Sequence, residues 1–337
     1  MAETNEPFLP TNTKDDSKVE GTGGSASVTV FGVDLGRFSP QNQLFLLAGG
    51  AVVTSIVFSL VQERVMPQGS NALLVSWLTT IFFALCGLVE CFLTNTKRRV
   101  PLKDYAQLSM FTAGGMIATN AALAYVSYPL RVIAKSIKVV PVMLVGVCIQ
   151  NKRYTTLEYL SAIVLVSGIA IFTLGDAKVS PTFSVTGLLL LALGVACDAI
   201  TANVEEKLFK MHRCTQAEVM VGVSFFGSFW AFAGIVYNGK VTEAFDQMIN
   251  NPNVVVGTAT FSVFGYMASA LILAVISAHG AVAAEIVKSL RKVATIVLSF
   301  VLVSKPISPM HVLGGFIFAF SIAMTVYIKR QKSRLAK

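Results

Sequence analysis

Charged side chains are scarce in this sequence. Asp, Glu, Lys and Arg make up 13% of its 337 residues, whereas ordinary soluble domains carry about 25%. Hydrophobic residues make up 54% and occur in blocks of about 20, the length that crosses a hydrocarbon core of ~30 Å. This scarcity of charge argues against a soluble fold and indicates a multi-pass membrane protein.

Cysteine and histidine are also few, and their spacing argues against a metal site. The five cysteines form no Cys-x-x-Cys pair, and His212, His279 and His311 are far apart. Paired carboxylates at a catalytic spacing are missing too. We therefore expect no catalytic residue, no metal and no cofactor. The net charge of +9 does not indicate nucleic acid, because the basic residues lie at the ends of apolar blocks or inside them.

The N-terminus lacks the short apolar core of a cleavable signal peptide. Residues 1–41 are instead polar and rich in Gly, Ser, Thr, Asn and Asp, a composition typical of disorder. We predict a disordered cytosolic tail over 1–41. The first apolar block would then act as its own insertion signal.

Ten apolar blocks follow this tail and predict an all-α membrane protein with ten transmembrane helices. The first five helices occupy 42–174, the second five occupy 183–328, and 329–337 form a basic cytosolic tail. Pro129 is predicted to begin the fourth helix, and turns are predicted at Asn250–Asn253 and Ser304–Pro309. The predicted spans are Gln43–Val61, Ala72–Leu93, Tyr105–Ser127, Tyr128–Ile149, Leu157–Leu174, Phe183–Glu205, Ala217–Tyr237, Val254–Ala278, Ala281–Ser304 and Pro309–Ile328.

The distribution of basic residues predicts the orientation. With the N-terminus in the cytosol, 17 of the 27 lysines and arginines fall on the cytosolic side and four on the opposite side. The positive-inside rule favours this arrangement, which requires an even number of spans. Both termini are therefore expected in the cytosol.

The remaining six basic residues lie inside two spans. Arg131, Lys135 and Lys138 are in the fourth, and Lys288, Arg291 and Lys292 are in the ninth. A shift of 153 positions places Lys135 on Lys288 and Lys138 on Arg291, and it moves the chain by five spans. The two halves would then insert with opposite orientation, which is typical of secondary transporters with a substrate site near the midplane.

Each cluster repeats at three- and four-residue spacing and so occupies one helical face. Charges at this depth face a water-filled cavity or a partner. Two such faces predict a positive cavity for an anion with several phosphate or sulfate oxygens. The alternative is pairing with intramembrane acids: Glu90, Asp198 and Glu285, with Glu63 and Glu205 near span ends as further candidates. Glu285 could reach Lys288 at i,i+3 spacing. Six cations against the three deep acids would still leave a surplus of about three positive charges, so substrate binding is the favoured interpretation.

Aromatic rings and glycines accompany these spans. A base would stack on a ring, although most rings are expected to pack against neighbours or lipid. The candidates are Tyr125, Tyr128, Phe225, Phe226, Trp230 and Tyr266. Gly114-Gly115, Gly265 and Gly314-Gly315 predict close helix contacts.

Several motifs resemble the nucleotide-sugar transporters of the drug/metabolite transporter superfamily. In the fourth span the resemblance rests on Val126-Ser127-Tyr128-Pro129, Lys135-Ser136-x-Lys138 and Pro141-Val142-Met143, and in the ninth on Arg291-Lys292 with Lys305-Pro306. The subgroup that transports adenosine 3′-phospho 5′-phosphosulfate (PAPS) is the most similar. That similarity rests on Gln62-Glu63, Gly87-Leu88-Val89-Glu90, Asn203-Val204-x-Glu206-Lys207 and Lys210-Met211-His212.

The resemblance implies a ten-helix antiporter of the Golgi or endoplasmic reticulum. It would carry PAPS from cytosol to lumen in exchange for a nucleotide monophosphate. The phosphate-binding positions would be Lys135, Lys138, Arg291 and Lys292, and Glu63 would be a polar gate or base contact. Lys288, Arg131 and Tyr128 complete the candidate site.

Two departures from the family pattern leave the cargo open. Ile137 and Val139-Val140 stand where Cys and Pro-Ile are common, and Glu285 and Lys288 stand in a run that is usually uncharged. A UDP-sugar such as UDP-galactose, or ATP and ADP, is the alternative cargo. The C-terminal tail lacks the dilysine spacing of retrieval to the reticulum, which favours the Golgi. The expected partners are the nucleotide, its counter-substrate and membrane lipid, and a homodimer stays open. A channel is disfavoured, because single-copy buried lysines in an inverted repeat suit a carrier.

Overall fold

The protein is mostly helical over the residues that a computed structural model describes, which are 29–35, 37–65, 71–122, 125–126, 134–135, 137–176, 184–303 and 309–335. Within these ranges lie eleven α-helices and one two-stranded antiparallel hairpin, β1 (Thr29–Val30) and β2 (Val33–Asp34). The helices are α1 (Pro40–Val65), α2 (Ala72–Leu93), α3 (Leu102–Ala121), α4 (Val139–Gln150), α5 (Thr156–Asp176), α6 (Val185–His212), α7 (Gln216–Tyr237), α8 (Val241–Asn250), α9 (Pro252–His279), α10 (Ala281–Val303) and α11 (Pro309–Leu335).

Each predicted span falls on one of these helices. Six of them, α1, α2, α6, α7, α9 and α11, contain stretches long and apolar enough to cross a membrane, and α4 and α5 contain shorter apolar stretches. The third helix ends at Ala121 rather than Ser127. The predicted helix start at Pro129 lies outside the described residues, and α4 is the second half of the fourth span. The turn predicted at Asn250–Asn253 is shorter in the structure, where only Asn251 separates α8 from α9. The turn predicted at Ser304–Pro309 falls almost entirely outside the described residues.

Large apolar side chains cover the outside of the helical bundle. Phe92 is 86% exposed, Phe316 75%, Phe45 69% and Leu189 66%. In water such a surface would be an aggregation hazard, whereas lipid makes it the favourable side for these residues. With the apolar helices, this surface identifies a protein that crosses the membrane several times.

Two structured segments lie outside the predicted spans. The hairpin and the first residues of α1 fall within 29–41, the end of the predicted N-terminal tail. Val30 is buried there, and the Phe31 N–H donates to Glu90 Oε1 at 3.3 Å. The segment between the seventh and eighth spans, for which no helix was predicted, forms α8. Asn71 binds it at the start of α2, donating through Nδ2 to Glu243 Oε1 at 3.2 Å.

Helix ends are fixed by local side chains, which keeps the connections short. Asn71 Oδ1 accepts from Leu73 N at 3.0 Å at the start of α2, and Thr215 Oγ1 accepts from Glu218 N at 3.2 Å at the start of α7. Such caps satisfy N–H groups that have no partner within the helix. Between α9 and α10 only Gly280 intervenes, with φ of +86°, a conformation that favours glycine. The two helices therefore meet in a tight turn.

Most of the helices pack in close pairs, and α10 packs between several of them. α5 packs against α11, α1 against α9, α2 against α7, and α3 against α6. α10 contacts α1, α4, α6 and α9. The basic residues of the ninth span are therefore brought next to those of the fourth.

Close contact between α5 and α11 depends on Gly314. A methyl group there would overlap the backbone of Phe172 and lie 2.8 Å from Gly168 O, whereas a methyl group at the adjacent Gly315 would meet only the Phe172 ring at 3.6 Å. We expect Gly314→Ala to reduce the free energy of unfolding by about 1–3 kcal/mol, because the helices must separate. Gly315→Ala is the matched control and should be neutral or better. Thermal unfolding in detergent measures both, and equal effects would contradict the assigned contact.

Candidate functional site

The centre of the candidate site is Glu285 on α10. Its side chain is 1% exposed, and it lies between two lysines. Lys138 Nζ, at the start of α4, is 3.1 Å from Glu285 Oε2, and Lys288 Nζ is 2.8 Å from Oε1. The second pair follows from the i,i+3 spacing along one helix. A buried carboxylate with two cations is one of the few stable ways to hold such charges in a bilayer.

Asp198 on α6 adds a second carboxylate to this cluster. Lys135 Nζ lies 3.9 Å and Lys138 Nζ 3.8 Å from Asp198 Oδ2. α3 and α6 are in close contact here, since a Cβ added at Gly115 on α3 would lie only 2.8 Å from Asp198 Oδ1. Lys138 therefore joins the carboxylates of two helices, α6 and α10.

Arg291 and Lys292 extend the cluster one to two turns along α10. Arg291 Nη1 is 3.5 Å from Ser55 Oγ on α1, a long contact, and Ser55 is buried. Lys292 lies close enough to Lys138, Lys135 and Glu285 for their charges to interact. We call these residues the central cluster: Lys135, Lys138, Asp198, Glu285, Lys288, Arg291 and Lys292. Glu205 on α6 is close enough to Lys138 and Lys288 for its charge to interact with theirs. The five cations of the cluster therefore exceed the three neighbouring acids, Asp198, Glu205 and Glu285, by two formal charges.

Three of these cations are paired with acids in the structure. Lys135, Lys138 and Lys288 pair with Asp198 and Glu285, the alternative that sequence analysis ranked second. Helices α4, α6 and α10 converge here, which the sequence does not specify. The carboxylates thus hold the lysines together while leaving the cluster net positive. Binding of an anion by this cluster stays a prediction.

Three of the candidate residues are not placed in this cluster. Tyr128 and Arg131 lie outside the described residues. Glu63 is exposed near the end of α1, eight residues beyond Ser55, which corresponds to about 12 Å along a helix. Its role as a base contact stays a prediction.

Glu90 and Tyr266 form a separate contact. Tyr266 Oη donates to Glu90 Oε2 at 2.5 Å, and the Tyr266 side chain is buried. Glu90 is therefore engaged by α9 and by the N-terminal hairpin rather than by the central cations. Trp230 Nε1 donates to Ser109 Oγ at 3.3 Å, so this ring has a helix-packing role.

A second charged cluster, which sequence analysis missed, surrounds Glu206 on α6. Lys152 Nζ is 2.5 Å and Lys210 Nζ 2.8 Å from Glu206 Oε1, and the Ala281 N–H donates to Oε2 at 2.6 Å. Burial lowers the pKa of the Lys152 ammonium, and the Glu206 carboxylate opposes that shift. Only the Glu206–Lys210 spacing of four was visible in the sequence, because Lys152 comes from the α4–α5 loop and Ala281 from the start of α10.

A cavity of about 370 Å³ adjoins this second cluster. It is lined by Lys152, Tyr154, Glu206 and Lys210, with Val139 and Ile286 among its apolar walls. Its lining residues Val139 and Ile286 are the sequence neighbours of Lys138 and Glu285, so the cavity is bounded by two of the helices that carry the central cluster, α4 and α10. We call it the Glu206 cavity. It lies at the bundle end where α4 and α6 end and α10 begins, the end predicted to be cytosolic.

Comparison with known proteins agrees with this architecture. The curated "Adenosine 3'-phospho 5'-phosphosulfate transporter 2" of Homo sapiens is 34% identical over 90% of this chain and 77% of its own length. The Caenorhabditis briggsae protein of the same name is 31% identical over 97% of this chain and 89% of its own length. A solved structure described as "Crystal structure of protein" has a TM-score of 0.61, with 13% identity over 86% of this chain and 98% of its own. It supports the fold alone. The UAA transporter family model matches residues 43–329, and the chain belongs to the UAA transporter family.

Proposed function

We propose that the protein transports PAPS across the membrane and that the central cluster binds its phosphate and sulfate groups. The observation that carries this proposal is the positive surplus of a cluster held between α4, α6 and α10. Arginine binds two anionic oxygens at once, and lysine acts as a mobile point charge. Relatives named as PAPS transporters, which align over most of this chain, support the same cargo.

We further propose an inverted repeat of five plus five spans. Val61-Gln62-Glu63-Arg64-Val65 at the end of α1 is similar to Val204-Glu205-Glu206-Lys207-Leu208 on α6, 143 positions later. The fourth and ninth spans are offset by 153 positions. The difference of ten equals the length of α8, which is 10 residues and is inserted between the seventh and eighth spans. The helix missed by sequence analysis thus supports a single repeat through both halves.

Contacts between helices follow the same repeat. Gly168 on α5 packs against Gly314 on α11, and Ser321 Oγ on α11 donates to Ser161 O on α5 at 2.7 Å. The offset of 153 carries Gly168 to Ser321 and Ser161 to Gly314. The contact of Gly168 with Gly314 and the contact of Ser321 with Ser161 therefore occupy equivalent positions in the two proposed repeats. This two-fold relation supports alternating access, in which two halves move around one central site.

Exchange, location and orientation complete the proposal. The carrier would exchange PAPS for a nucleotide monophosphate across the Golgi membrane, with both termini and the 94–103 loop in the cytosol. The distribution of Lys and Arg supports the orientation.

A second cargo class is favoured by one observation. Glu285 neutralises part of the charge of Lys138 and Lys288, which lowers the surplus available to a highly charged anion. A UDP-sugar, ATP or ADP would then fit the same cluster.

Uptake into proteoliposomes distinguishes the cargoes. Protein reconstituted with internal adenosine 3′,5′-bisphosphate should take up labelled PAPS, and UDP-galactose should compete poorly. Vesicles without internal nucleotide should take up little, because an exchanger needs a counter-substrate. Strong exchange of UDP-galactose, ATP or ADP without uptake of PAPS would contradict the proposed cargo and favour the alternative.

A further inference from the structure

Two lysines converge on one carboxylate oxygen at the predicted cytosolic end of the bundle. Lys152 and Lys210 both contact Glu206 Oε1, and Oε2 accepts the Ala281 N–H. A phosphate group presents the same acceptors to the same donors. The Glu206 carboxylate therefore occupies a place that a phosphate would also fit.

The surroundings of these lysines suit an anion that arrives from water. The Lys210 side chain is 59% exposed, so its ammonium is accessible without unfolding. Tyr154 lines the same cavity, and its hydroxyl is buried without a hydrogen-bond partner among the described residues. A ligand oxygen would satisfy that hydroxyl. The volume of about 370 Å³ lies in the range of small-molecule sites.

The repeat indicates that the ion pairs of Glu206 are not a requirement of the helix. Glu63 is the equivalent residue in the first half, in the matching sequence at the end of α1. Glu206 is 2% exposed and ion-paired, whereas Glu63 is exposed. The carboxylate is thus ion-paired at the end of α6 and exposed at the equivalent position of α1. We expect this difference of an ion pair that a ligand can displace.

We propose that the Glu206 cavity is a phosphate site on the cytosolic side of the carrier. Lys152 and Lys210 bind a phosphate of the incoming nucleotide, and Glu206 is the ion-pair partner of both lysines when no phosphate is bound. Because helices α4, α6 and α10 line the cavity and also carry the central cluster, we place this phosphate site on the cytosolic side of that cluster. The inference rests on the proposed function in taking a nucleotide as the ligand.

The Glu206 carboxylate and a phosphate would compete for the same two lysines. Substitution of a lysine and substitution of Glu206 should therefore change the KM for nucleotide in opposite directions. Lys152→Gln removes one phosphate ligand, while Glu206 keeps Lys210 and the Ala281 N–H, so the fold is retained. Glu206→Gln removes the competing charge, and its amide oxygen still accepts from Ala281 N. We expect Lys152→Gln to raise the KM for nucleotide at the cytosolic face about tenfold, and Glu206→Gln to lower it several-fold.

Sided exchange in proteoliposomes measures these changes. Vesicle orientation is scored by protease access to the C-terminal tail, and KM is measured at each face separately. The KM at the lumenal face should stay within twofold for both variants. Arg153→Gln is the matched control, since Arg153 is exposed in the same loop, and it should leave both KM values within twofold.

Two outcomes would overturn the inference. One is a loss of activity or of unfolding temperature in both variants without opposite changes in KM, which would show that the Glu206 cluster only holds the helices together. The other is an equal change of KM at both faces. Failure of the PAPS proposal is a separate result: if wild-type protein exchanges UDP-galactose instead, the same opposite changes measured with UDP-galactose still support the site, and their absence still refutes it.

Discussion

Replacing Lys138 and Lys288 together by Met should cost about 3–5 kcal/mol of stability and abolish transport. Both cations of Glu285 are then lost, and its carboxylate, 1% exposed, remains charged in the bilayer without them. Methionine is unbranched and only one atom shorter than lysine, so the change alters the charge far more than the packing. Thermal unfolding of the purified variant and exchange in proteoliposomes measure the two effects.

Adding Glu285→Gln to this double variant should restore most of the stability but none of the transport. Replacing a whole buried ion cluster by neutral groups is often neutral or stabilising, whereas removing one side of it is not. The triple variant therefore separates the structural role of the lysines from binding. If transport also returned, Lys138 and Lys288 would only balance Glu285 and would not bind the substrate.

Arg291→Ala and Lys292→Ala should each weaken nucleotide binding by about ten- to a hundredfold with little loss of stability. Glu285 keeps its ion pairs with Lys138 and Lys288 in both variants, so this buried carboxylate stays paired. A charge-assisted contact contributes ~1.5–3 kcal/mol, which corresponds to that range of affinity. Exchange rates over a range of PAPS concentrations measure the effect.

Lys240→Ala is the matched control for these two variants. Lys240 lies before α8, 48% exposed, and pairs with Glu243 at 3.5 Å on the surface. An exposed pair of this kind contributes little, so exchange should stay at the wild-type level. Wild-type exchange in Arg291→Ala and Lys292→Ala would remove both residues from the proposed site.

Spans were predictable because a run of about 20 apolar residues has one stable outcome in a bilayer. Helix α2 has the predicted bounds, Ala72–Leu93. α8 was not predictable by this rule, because Val241–Asn250 has 10 residues, too few to cross. The N-terminal hairpin was missed because its order depends on distant contacts such as that of Phe31 with Glu90, which composition does not reveal.

Ion pairs were predictable only where they are local. The Glu285–Lys288 contact follows from i,i+3 spacing and was named as an alternative, and the structure contains it. The Lys138–Glu285 and Lys152–Glu206 contacts depend on how α4, α6 and α10 rotate and cross, and sequence spacing does not fix those angles. Local periodicity therefore identified the charged faces but not which carboxylate each face meets.

The central claim is that the cations of α10 bind nucleotide rather than hold the fold together. Unfolding temperature with and without adenosine 3′,5′-bisphosphate tests it most directly. Wild-type protein should unfold at a higher temperature with the nucleotide, because ligand that binds only the folded state stabilises it. Arg291→Ala and Lys292→Ala should keep the wild-type value without nucleotide and lose the increase. Variants that unfold early without nucleotide, or that keep the full increase with it, would contradict the claim.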